Sequence, residues 1–113
     1  MKKSIENITN HAEVSEKAIE KYLCERTKEI GLLCLKYSNP NAVGYPDRII
    51  LMPFSGIIWV ELKSKGKKPT KLQQIRHAEL KAAGQEVYTI DSKDGVDDLI
   101  NKIEWLTRKE GDQ

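Results

Sequence analysis

The chain has 113 residues, 39% hydrophobic and 32% charged, with a formal net charge of +2. That length suits one domain with a core of its own, without disulfide or metal staples. No apolar run approaches the roughly 20 residues of a membrane-spanning helix, and the polar N-terminus does not resemble a signal peptide.

Residues 1 to about 12 show no clear period and read as a loose lead-in. Ser15 is placed as an N-cap, with Val14 and Ile19 as a hydrophobic staple across it. A helix is predicted from there to about Ile30, and Gly31 stands where a left-handed C-cap residue is expected. On a wheel of about 100° per residue, Ile19, Leu23 and Ile30 form its apolar stripe. Glu16 falls within roughly 20° of Leu23, inside that stripe, and Glu20 lies at its edge. An acid in a first helical turn has an ordinary explanation in the helix dipole. An acid on the inward face also suits a site, and on that ground Glu16 ranks ahead of Glu20. Cys24 and Cys34 lack a C-x-x-C spacing and histidine partners, so they read as reduced thiols of an intracellular protein and not as a zinc site.

Leu32 to Tyr37 reads as a first strand, with Lys36 near its end facing either a substrate phosphate or solvent. A turn-rich loop through Gly44, Tyr45 and Pro46 delivers the chain to Asp47. Asp47 to Met52 and Ile57 to Lys63 then read as two strands, joined by turn residues Pro53-Phe54-Ser55-Gly56 into a hairpin. Ser64 to Pro69 is a basic loop. Thr70 is placed as the cap of a second helix, running to about Ala83 and ended by Gly84. Gln73 holds the third position after Thr70, as a capping box requires. Glu86 to Ile90 alternates as a half-buried strand. Asp94 is placed as the cap of a last helix with Val96, Leu99, Ile100 and Ile103 on one face and Trp105 opposite, on the surface or at a subunit contact. The tail from Arg108 to Gln113 reads as frayed. The order αβββαβ, plus a C-terminal helix, predicts an α/β fold with a mixed central sheet flanked by helices.

The hairpin places Asp47, at the start of its first strand, beside Glu61 and Lys63 at the end of its second. Alternation turns Glu61 and Lys63 to one side and Leu62 to the other. Two carboxylates and an amine then meet at the end of an otherwise apolar sheet, where charges must be paired or bound to an ion. An ion pair at a strand end satisfies them. So does a hard divalent cation on the carboxylates, with Lys63 beside an attacking water. From Glu61 to Lys81 there are seven cations (Lys63, Lys65, Lys67, Lys68, Lys71, Arg76, Lys81) against Glu61 and Glu79. Such a segment beside a carboxylate site suits a polyanion, and equally a solvated loop.

Taken in order, Glu16, Gly44-Tyr45-Pro46-Asp47, Glu61-Leu62-Lys63, Leu72-Gln73, Gly84 and the strand Val87 to Ile90 resemble the PD-(D/E)xK nuclease superfamily, and within it the short, phage-type VRR-NUC branch. The resemblance covers about residues 14 to 104 of a single domain spanning 1 to 113. It implies a restriction-endonuclease-like core and metal-dependent hydrolysis of DNA phosphodiesters. Asp47, Glu61 and the Leu62 backbone carbonyl are then the metal ligands, with Glu16 as the acid that completes the site. Lys63 positions water or neutralises the phosphorane, and Gln73 orients water or phosphate. Lys36, Lys65, Lys67, Lys68, Lys71 and Arg76 are the candidate DNA contacts. Mg²⁺, replaceable by Mn²⁺, is the implied cofactor. Branched DNA, as for a Holliday-junction resolvase, is the implied substrate, and a homodimer in the cytoplasm of a bacterial host the implied setting. A less selective nickase and a non-catalytic DNA-binding module are the competing expectations.

Overall fold

A computed structural model describes residues 15–54 and 56–111. The order is α1 (Glu16–Glu29), β1 (Leu33–Lys36), β2 (Arg48–Leu51), β3 (Ile57–Leu62), α2 (Lys71–Ala82), β4 (Glu86–Ile90) and α3 (Lys93–Gly111). The α/β architecture with a mixed sheet is the one the element order predicted. The four strands lie in sequence order, β1-β2-β3-β4. β1–β2 and β2–β3 are antiparallel, whereas β3–β4 is parallel, with α2 as the crossover that a parallel pair requires.

β3 is one of the two inner strands, and its residues alternate between two environments. Ile58, Val60 and Leu62 join Ile19, Leu23, Ile50, Ile90, Val96, Leu99, Ile100 and Ile103 in one buried cluster between the sheet, α1 and α3. Trp59 and Glu61 point to the opposite side, where Trp59 Nε1 donates to Gln85 Oε1 at 3.1 Å and Glu61 meets α2. The ladders also run past the assigned strands. Tyr37 N donates to the Asp47 carbonyl at 2.9 Å, and Lys63 N to the Ile90 carbonyl at 2.9 Å. The end of the sheet that carries Asp47 and Lys63 is therefore held by backbone hydrogen bonds on both flanks.

Local chemistry accounts for most helix ends. Ser15 caps α1 by accepting from Ala18 N at 3.1 Å, and Gly31 takes φ +77° just beyond the C-cap Ile30. Val14, one half of the expected staple, lies outside the described residues, as do the lead-in and Ser55. Within α1 the buried stripe is Ile19, Leu23 and Thr27, while Ile30 is only half-buried. The Thr27 hydroxyl can sit there because it donates back to the Leu23 carbonyl. Cys24 and Cys34 face each other as free thiols with sulfurs 4.0 Å apart, and burial together with Cys24 pushes Cys34 up to about 12.

Two expectations need correcting at α3. Its cap is Ser92, whose hydroxyl accepts from Gly95 N at 3.0 Å, and Asp94 lies within the first turn, where the dipole favours an acid. The helix also continues through Arg108 to Gly111 and does not fray there. Trp105 is exposed, on the face opposite the buried stripe. Among the described residues no helix is long and apolar enough to cross a membrane.

Candidate active site

Four elements converge where β2 begins and β3 ends. The β2–β3 register pairs Arg48 with Val60, so Asp47, one residue earlier, stands across from Glu61. Asp47 leaves the ladder as a side chain: its Oδ2 accepts the backbone N–H of Leu62 at 3.0 Å. That bond gives the carboxylate one orientation without consuming its second oxygen. Glu61 is only 1% exposed, buried on the α2 side of the sheet.

α2 reaches Glu61 with two side chains one helical turn apart. Gln73 Nε2 donates to Glu61 Oε2 at 3.4 Å, and His77 Nε2 lies 3.3 Å from Glu61 Oε1. Gln73 serves two structures at once, since its Oε1 also accepts from Thr70 N at 2.9 Å while Thr70 Oγ1 accepts from Gln73 N at 3.2 Å. The capping box is complete, and it sets the amide so that its NH₂ end faces Glu61. Gln74 turns outward and donates to the Pro69 carbonyl at 3.0 Å.

The electrostatics follow from the packing. Burial, and then the hydrogen bond and charge of Asp47, push the Glu61 carboxyl up to about 8. Lys63 opposes that shift, while the charge of Glu16 adds to it. Glu16 is exposed at the start of α1, yet near enough for its charge to act on Glu61. Glu20, one turn on, is engaged elsewhere: its Oε2 accepts from Arg48 Nε at 2.9 Å. Burial, with Lys81 and Lys63 nearby, holds the His77 imidazolium below the usual histidine range.

Two adjacent carboxylates, one keeping its proton at neutral pH, form an anionic all-oxygen donor pair. Among the described residues no three His, Cys, Asp or Glu side chains gather into a complete metal cage. The pair fits a hard divalent cation of the Mg²⁺ type, which takes one or two carboxylates and keeps several waters, better than a metal needing a closed ligand set.

The loop leading to Asp47 is fastened to α2. Arg76 Nε donates to the Val43 carbonyl at 2.9 Å, its guanidinium lies 4.9 Å from the Tyr45 ring centroid, and Tyr45 OH donates to Glu79 Oε2 at 2.9 Å. Tyr37, Tyr45 and Trp59 pack edge-on or tilted with centroids 5.0 to 6.4 Å apart. Gly44, at φ +99°, lies so close to α2 that a β-carbon would fall 2.8 Å from Leu72 Cγ. Arg76 is thus already occupied by loop and helix. Lys36, Lys65, Lys67, Lys68 and Lys71 are exposed, around the end of the sheet that carries the carboxylates.

His77 is the residue that sequence reasoning missed. The signal was available: it stands four residues after Gln73, on the same helix face.

No family model matches the chain. It is 41% identical over 81 residues to "Putative nuclease p44" of Acyrthosiphon pisum secondary endosymbiont phage 1, covering 72% of this chain and 87% of that protein. A solved structure described as "VRR_NUC domain" superposes with a TM-score of 0.71 at 32% identity, over 76% of this chain and 94% of the other.

Proposed function

The chain belongs to the VRR-NUC family of PD-(D/E)xK nucleases, and from that membership we propose that it is a metal-dependent DNA endonuclease selective for branched DNA, in the manner of a Holliday-junction resolvase. The observation that carries this reading is the buried Glu61 opposite Asp47, with Lys63 on the same strand end. Two acids forced together in a dry setting cannot both ionise without cost, and a cation that binds both relieves that cost.

Asp47, Glu61 and the Leu62 carbonyl hold the ion, and Glu16 approaches from α1 to complete the site. Mg²⁺, or Mn²⁺ in its place, supplies a Lewis acid and an acidified water when bound. Lys63 places a positive charge where the scissile phosphate gains negative charge. Gln73 holds Glu61 and orients polar groups beside it. Lys36, Lys65, Lys67, Lys68 and Lys71, with Arg76 behind them, bind the flanking phosphates and set the register without reading bases. Residues 1 to 113 make one nuclease domain with its core at about residues 14 to 104, and it acts inside the cell, in the cytoplasm of a bacterial host if phage-encoded.

Resolving a four-way junction takes two opposed incisions, and this domain carries one site. We therefore assign it a homodimer about a two-fold axis. Exposed Leu33 and Leu35 on the edge strand β1 supply apolar surface for such an interface. The test is a cleavage assay on a four-way junction, a flap and plain duplex with Mg²⁺, Mn²⁺, Ca²⁺ or EDTA, alongside light scattering with and without DNA. Junction preference from a dimer is expected. Equal cleavage of all three substrates by a monomer would replace the resolvase with a simple nickase, and binding without cleavage in every metal would leave only a DNA-binding module.

A further inference from the structure

α2 packs against the sheet in an orientation that apolar burial alone does not favour. Leu72 and Ile75 are 40% and 49% exposed, while the His77 side chain, only 9% exposed, faces the interior. A helix placed by hydrophobic packing would bury the aliphatic residues and leave the imidazole at the surface. What His77 gains by facing inward is Glu61: its Nε2 lies 3.3 Å from Oε1, while Gln73 holds Oε2 at 3.4 Å. Each oxygen of one carboxyl group thus has its own nitrogen partner, and the two partners are separated by a single turn of the same helix. Both distances exceed the usual N–H···O separation of about 2.9–3.0 Å, so neither contact adds much to the stability of the fold.

We propose that His77 is a positioning residue for the cation site: its Nε2–H orients the Glu61 carboxylate toward Asp47, and so sets the affinity for a hard divalent ion. The inference rests on the metal-dependent reading above. Carboxylates that ligate metals are themselves held by hydrogen bonds, and losing such a partner costs about 10–100-fold in metal affinity. A histidine that only filled space between α2 and β3 would be replaceable by an apolar side chain of similar volume without that loss.

The test is Mn²⁺ binding to the DNA-free protein, followed by electron paramagnetic resonance, together with the Mg²⁺ dependence of cleavage. His77→Leu keeps the packing and removes the donor. It should raise the Mn²⁺ dissociation constant about tenfold or more, and raise the Mg²⁺ needed for half-maximal rate by a similar factor, with the rate at saturating Mg²⁺ largely restored. His77→Gln, whose amide reaches the position of Nε2, should bind nearly as tightly as wild type. His77→Asn, whose amide stops short of Glu61, should not. If His77→Leu does not fold, the Gln and Asn variants carry the comparison. Mn²⁺ affinity within twofold of wild type for His77→Leu, or equal for Gln and Asn, overturns the inference while the nuclease reading stands. A wild-type protein that neither binds Mn²⁺ nor cleaves overturns both.

Discussion

The two faces of β3 meet opposite environments. Ile58, Val60 and Leu62 fill a dry core against α1 and α3, whereas Trp59 and Glu61, alternating with them, meet the polar side chains of α2 and the turn that follows it. The first face gains free energy by excluding water, about 1.5–3 kcal/mol for each large aliphatic side chain buried. The second holds an acid in a place that costs free energy unless something compensates it. Stability and chemistry are thus divided by the parity of residue number along one strand, and substitutions at neighbouring positions should fail in opposite ways.

The sharpest contrast is between Glu61 and Ile58. Glu61→Gln and Asp47→Asn should abolish cleavage while the thermal midpoint without metal stays level or rises. Ile58→Ala should cost about 2–5 kcal/mol of stability, yet still cleave with Mg²⁺ below its lowered melting temperature. Circular dichroism melts beside a cleavage assay check both, and an Ile58→Ala protein that is folded but inactive would erase the division.

The next contrast is within the basic residues. Lys63→Ala should reduce rate with little loss of DNA affinity. Changing Lys65, Lys67 and Lys68 together to Ala should weaken binding and flatten the salt dependence by up to about 0.9 in log–log slope for each phosphate no longer neutralised. Binding titrations at several salt concentrations separate the two, and equal effects would show that site and loop act as one.

A smaller effect is expected from pH. The Glu61 carboxyl titrates near 8 in the fold against an ordinary value of 4.5, so between those values the folded state holds a proton that the unfolded chain has lost. Stability in EDTA should therefore fall as pH rises through that window, and level off above it. Glu61→Gln should remove this slope. A melting midpoint in EDTA that rises over the same range would mean the acid is ionised and already paired.

The smallest effect concerns the acids of α1. Glu16→Gln should lower activity with no change in melting. Glu20→Gln breaks the pair with Arg48, which should cost about 1 kcal/mol or less and leave activity intact. The reverse ranking in paired melts and rate measurements would exchange their roles.

Much of this is legible in the sequence. β-branched runs bounded by proline and glycine marked the hairpin, and hairpin geometry alone brought Asp47 beside Glu61. Thr70 and Gln73 declared the start of α2 through their spacing. His77 was harder to read because α2 inverts the usual pattern: its aliphatic Leu72 and Ile75 face outward and its polar Gln73 and His77 face the sheet. Periodicity finds the face of a helix that avoids water, and here the informative face is the one that seeks Glu61. The cap of α3 was misread because Ser92 and Asp94 are both good capping residues two positions apart, and only the backbone geometry chooses between them.

Gly44 gives the site a mechanical property. The segment delivering Asp47 rests on Leu72, the neighbour of Gln73, through a gap too narrow for one added methyl group. Loop and helix therefore share a bearing surface with almost no clearance. The loop that presents Asp47 and the helix whose Gln73 and His77 face Glu61 thus lean directly on each other. A fit that close suits geometry that matters to about an ångström.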